Sequence, residues 1–181
     1  MTEEAILKGC LNNNAAAQRE LYNKYSSKML AVCYRYGHNR EDAEDMLQEG
    51  FIKVFLQIHT FENRGAFEGW IRRIFVNTAI EQFRKKNYLK PLTEVEENTV
   101  EGKYLSVLDT LAEKDIIQLV QQLSPGYRTV FNMYVIEGYT HKQISEILGI
   151  SEGTSKSQLS RAKLILQDLV KTFIEKRRKT T

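Results

Sequence analysis

The sequence predicts an all-α protein made of two small helical domains joined by a flexible acidic linker, the second domain carrying a helix-turn-helix. Three observations predict it. Apolar residues recur at helical spacing along most of the 181-residue chain, and strand-like alternation is almost absent. Only two prolines occur, Pro91 and Pro125, and both stand where a helix is interrupted or begins. Charge is divided unevenly: residues 1–90 hold 14 basic and 11 acidic side chains, residues 91–111 hold one and five, and residues 112–181 hold 11 and seven. Two mildly basic ends thus flank an acidic middle. That middle, from Pro91 through Glu94, Glu96 and Glu97 to Gly102, lacks a sustained period and reads as the linker, or as a solvated acidic loop with no further role.

In the first domain, residues 1–90, the pattern predicts helices near 3–11, 14–36, 41–58 and 67–87. In the third of these, Leu47, Phe51, Val54 and Ile58 make a core stripe, and the opposite face gathers Asp42, Asp45, Glu49, Ile52 and Leu56. Aliphatic side chains lined up among acids on an outer face suit docking to another protein; the plainer reading packs Ile52 and Leu56 on a neighbouring helix. The helix near 67–87 is apolar on two sides, through Phe67, Ile71, Ile74 and Thr78 and through Val76, Ile80 and Phe83. A narrow sector with Trp70, Arg73, Asn77 and Arg84 is left, in which a guanidinium serves phosphate and an amide addresses a base, unless Trp70 is simply core. The polar loop Phe61-Glu62-Asn63-Arg64-Gly65-Ala66 before it has the parts to hold an unstacked base: an aromatic ring, a guanidinium and a glycine for the turn.

In the second domain, residues 112–181, helices are expected near 112–122, 126–137, 141–148 and 152–175, with Ser124-Pro125 starting the second. Thr140 is a good N-cap, Ile144, Ile147 and Leu148 fall at helical spacing, Gly149 supplies the positive φ that turns the chain, and Ser151 caps the last helix. On that helix Leu159, Ala162, Leu166, Leu169, Val170 and Phe173 form one stripe, so Gly153, Thr154, Ser157, Gln158, Ser160 and Arg161 are expected to project from the opposite side. Small polar residues with Gln and Arg suit entry into a major groove; an ordinary helical hairpin with a solvated face is the plainer alternative.

Other function classes find little support. Neither a signal-peptide pattern nor an apolar run long enough to span a bilayer is present, so a cytoplasmic protein without membrane insertion is expected. Cys10 and Cys33 read as reduced structural thiols, and His38, His59 and His141 are scattered, without metal-ligand spacing. No nucleophile elbow or phosphate loop occurs, so neither an enzyme nor a bound cofactor is expected.

Two runs carry a resemblance to a known family. Glu41-Asp42-Ala43-Glu44-Asp45-Met46-Leu47-Gln48-Glu49-Gly50-Phe51-Ile52-Lys53-Val54-Phe55, followed by Phe67-Glu68-Gly69-Trp70-Ile71-Arg72-Arg73-Ile74-Phe75-Val76-Asn77, resembles region 2 of extracytoplasmic-function sigma factors of the sigma-70 family. Leu123-Ser124-Pro125-Gly126-Tyr127-Arg128-Thr129-Val130-Phe131, then Glu137-Gly138-Tyr139 into the helix-turn-helix, resembles their region 4. The resemblance implies a dissociable subunit that joins core RNA polymerase and directs it to promoter DNA. It implies docking on the polymerase β′ coiled coil by Asp42, Asp45, Gln48, Glu49 and Ile52. It places −10 recognition and opening at Phe61, Asn63, Arg64, Trp70, Arg73 and Asn77, and −35 duplex reading at Thr154, Lys156, Ser157, Gln158 and Arg161. It further implies contact of the second domain with the β-flap and an anti-sigma factor as a partner. Four positions depart from the family pattern: Ser155 stands where an aliphatic residue is usual, Gln158 where arginine is common, Phe75 in place of alanine, and Gly50 in place of a larger residue. Two rivals remain, a dimeric operator-binding regulator that acts without polymerase and a helical adaptor with no salt-dependent DNA affinity.

Overall fold

The computed structural model describes residues 1–87 and 113–180, and among these every regular element is helical. The expected acidic linker, residues 91–111, lies outside the described residues. The chain separates into two compact units, Met1–Gln82 and Phe83–Thr181.

In the first unit, α1 (Glu3–Leu11), α2 (Ala15–Tyr36) and α3 (Arg40–Gln57) each start at a side-chain cap, from Thr2, Asn14 and Asn39 respectively. These oxygens satisfy backbone N–H groups that a helix start leaves unpaired. A 3₁₀ turn, Ile58–Thr60, closes α3, and after the loop α4 spans Phe67–Asn87. The hairpin between α1 and α2 is close because Gly9 faces Ala17, where a Cβ would leave no room. The core is built from Leu21, Tyr25, Met29 and Val32 of α2, Phe51 and Val54 of α3, and Phe67, Ile71, Phe75 and Val76 of α4. Each such side chain contributes about 1.5–3 kcal/mol when withdrawn from water. Cys10 and Cys33 are free and buried, and burial pushes the Cys33 thiol up to about 12.

Gly50 and Phe75 explain one another. A Cβ on Gly50 would collide with the Phe75 ring, which also meets Phe51 edge-on with centroids 5.2 Å apart. The absence of a side chain on α3 is matched by a large ring on α4, so the core stays filled.

In the second unit, α5 (Glu113–Gln121) leads to α6 (Pro125–Phe131), where Pro125 occupies the first turn at no hydrogen-bonding cost. The expected helix 126–137 is not uniform: residues Asn132–Ile136 widen into a π-helical turn, with Glu137 N–H bonding to the Asn132 carbonyl. Gly138, at φ 75°, then reverses the chain. The helix-turn-helix follows as α7 (His141–Leu148) and α8 (Glu152–Thr180). Thr140 and Gln143 form a reciprocal capping box, and Gly149 takes φ 68° in the left-handed region, as the turn requires. Ile144, Leu159, Ala162, Leu166 and Val170 are buried with Val130, Phe131 and Met133, while Leu169 and Phe173 of the expected stripe are half-buried. Among the described residues no helix is long and apolar enough to cross a membrane.

Candidate docking and nucleic-acid interfaces

On α3 the outward row is Asp45, Gln48, Ile52 and Leu56, with Ile52 59% and Leu56 68% exposed. Within this unit the two aliphatic side chains therefore do not serve the core. The face differs from expectation at two residues. Asp42 is half-buried because its carboxylate accepts the His38 N–H just before the helix, at 3.1 Å. Glu49 is also half-buried, paired with Lys53 at 3.0 Å and accepting from Gln82 at 2.8 Å; Lys53 also reaches Glu81 on α4. Helix-start chemistry claims the first carboxylate and packing of α3 on α4 claims the second, so Leu56 completes the apolar part of the face in their stead.

The loop 61–66 kinks twice through positive φ, at Asn63 (55°) and Gly65 (105°), and Asn63 is among the few side chains that tolerate the left-handed region. Arg64 extends into solvent beside Glu62 at 3.1 Å. Phe61, Phe67 and Trp70 make an aromatic cluster in which Trp70 stacks on the buried Phe67, planes 12° apart, and Phe61 touches both rings. Trp70 is half-buried: one face belongs to the core cluster, which joins the two readings its sequence position allowed. One and two turns along α4, Arg73 and Asn77 are exposed, continuing the row from the loop.

On α8 the five expected DNA contacts separate. Lys156 is exposed and Arg161 half-buried, but Thr154, Ser157 and Gln158 are 6%, 4% and 4% exposed. The outward projection expected of these three is corrected. Thr154 and Ser157 bond to their own helix turn, Thr154 to the Ser151 hydroxyl at 2.8 Å and Ser157 to the Thr154 carbonyl at 3.0 Å. A hydroxyl satisfied locally has no need of water and can be covered. α5, α6 and α7 all pack on α8, so its covered sector is wider than one apolar stripe. The surface near its start is instead Glu152, Gly153 and Lys156, with Ser160 and Lys163 half-buried beside it.

Sequence reasoning passed over one group. His141, which opens α7, has Nδ1 2.9 Å from Ser155 Oγ, and its ring stacks on Tyr134 with centroids 4.4 Å apart. Burial lowers its pKa, Lys156 and Lys163 push the same way, and Glu152 opposes them, so the imidazole is neutral near pH 7. The signal was present in part: a serine held inside a helical packing needs a hydrogen-bond partner, and the preceding helix opens with a histidine.

Residues 21–88 match the family model described as Sigma-70 region 2, and residues 113–166 match Sigma-70, region 4. The chain is 30% identical to an ECF RNA polymerase sigma factor, SigW, of Bacillus subtilis, across 82% of this chain and 86% of that one. It is 28% identical to an ECF RNA polymerase sigma-E factor of Haemophilus influenzae, across 96% and 98%. Among solved structures, a sigma factor RpoE in complex with the anti-sigma factor NepR from Bartonella quintana aligns with a TM-score of 0.48 at 23% identity, covering 84% of this chain and 96% of that one. With both sigma regions present in order and near full-length relatives on either side of the alignment, the chain belongs to the extracytoplasmic-function sigma factors of the sigma-70 family.

Proposed function

We propose that residues 1–90 dock on core RNA polymerase and open the −10 element, that residues 112–181 read the −35 duplex, and that residues 91–111 join the two. The supporting observation is the continuous row from the 61–66 loop through Trp70, Arg73 and Asn77, in the unit that matches region 2. An aromatic ring with one supported face is a platform for an unstacked base, an interaction of about 1–3 kcal/mol, and Arg64 and Arg73 add phosphate contacts around it. Capture of such a base offsets the few kcal/mol that unpairing costs. No bond is made or broken by the chain in this scheme; binding energy selects the site and polymerase performs the chemistry.

On α8 the reading falls to Lys156 and Arg161, with Glu152, Ser160 and Lys163 bordering them, in place of the wider set drawn from sequence. On α3 it falls to Asp45, Gln48, Ile52 and Leu56, as an acidic and aliphatic face for the β′ coiled coil. The second unit rests on the β-flap, and an anti-sigma factor is a further partner.

The docking assignment is tested by affinity for core. Asp45→Arg with Ile52→Ala reverses the charge and removes the apolar anchor on an exposed row, and is expected to weaken core binding at least about tenfold with the thermal midpoint unchanged. Normal affinity in that variant would place the docking face elsewhere.

A further inference from the structure

The reading helix is held at its first full turn by a polar clamp. Ser155 is wholly buried, and a hydroxyl removed from water needs a partner. His141 Nδ1 provides it at 2.9 Å, while Tyr134, in the π-helical turn, covers the imidazole face with the two planes 22° apart. The stack fixes the plane of the ring and the hydrogen bond fixes its direction, so three elements, the π-helical turn, α7 and α8, meet at one imidazole. Lys156 follows Ser155 directly and Arg161 comes less than two turns later, so any rotation of α8 about its axis at Ser155 re-aims both.

We propose that His141 is a positioning residue for DNA reading: through Ser155 Oγ, and braced by Tyr134, it sets the rotation of α8 and hence the aim of Lys156 and Arg161. The inference rests on the assignment of α8 as the reader of the −35 element. An aliphatic side chain at 155 holds its neighbour by dispersion, which tolerates rotation; a hydrogen bond is directional and does not. The imidazole, kept neutral by its surroundings, acts here by geometry rather than by charge.

The test is promoter discrimination by holoenzyme rebuilt from bacterial core RNA polymerase and the full chain. It is read as transcript from a promoter that the wild-type holoenzyme selects, divided by transcript from the same promoter with its upstream element scrambled. His141→Phe keeps the stack and removes the nitrogen, Ser155→Ala removes the hydroxyl, and His141→Asn keeps a polar group near the position of Nδ1. The first two are each expected to lower the ratio about fivefold to tenfold, their combination no further, and His141→Asn to retain most of it. His141→Phe combined with Ser155→Val rebuilds an apolar contact, and is expected to recover the thermal midpoint of the domain but not the ratio. Unchanged discrimination in the single variants, or its recovery by the apolar pair, overturns the role of His141. A wild-type holoenzyme indifferent to the scrambled element overturns the reading of α8 and this inference with it.

Discussion

Gly50 carries no side chain because Phe75 occupies the space a Cβ would take, and this pair shows most clearly how single residues set the fold of the first unit. Gly50→Ala is expected to destabilise by about 1–3 kcal/mol, since the added methyl meets a ring fixed among Phe51 and its neighbours. The same substitution made on a Phe75→Ala background is expected to cost far less or to stabilise, because the methyl then fills the vacated space; denaturant unfolding of the four proteins gives the coupling. Each departure was visible in the sequence, but their contact was not. A local pattern says which face of α3 is apolar, not which residue of α4 lies across from it. The same holds for His141 and Ser155, 14 residues apart and joined only when the turn between α7 and α8 closes.

At the scale of elements, periodicity and capping residues located the helices to within a few residues. Thr140, Gly149 and Ser151 act as their chemistry requires, the first by an oxygen, the second by φ and the third by accepting the Thr154 N–H. Thr140→Ala removes the hydroxyl that accepts the Gln143 N–H and leaves only the backbone N–H of residue 140 bonded to Gln143 Oε1; it is expected to lower the stability of the second unit by about 1 kcal/mol, measured by thermal unfolding of the full chain. Two readings of faces were less legible. Thr154 and Ser157 are polar by composition and were expected outside, but a hydroxyl bonded to its own helix turn is as easily covered as a methyl. Asp42 and Glu49 fall on the outer side of α3 by angle, yet one serves the start of the helix and the other pairs with Lys53, contacts that a helical wheel does not contain. The π-helical turn after α6 gave no sequence signal that distinguished it from an ordinary last turn.

At the scale of the whole molecule, the chain holds a region 2 match at residues 21–88 and a region 4 match at residues 113–166, on either side of an acidic stretch. A single bidentate base contact supplies about 1–3 kcal/mol and a stacked base about the same, so one unit alone discriminates poorly and promoter choice requires both elements read together. Promoter DNA is selected, on this reading, by the chain acting as a polymerase subunit. The most direct measurement is run-off transcription by bacterial core polymerase on fragmented genomic DNA, with and without the purified chain, followed by mapping of the new transcript starts. Discrete chain-dependent starts that share two upstream elements at fixed spacing are expected, as is their loss when either element is scrambled. An active core that gains no new starts, or a chain that binds paired operator half-sites tightly without polymerase, would contradict it.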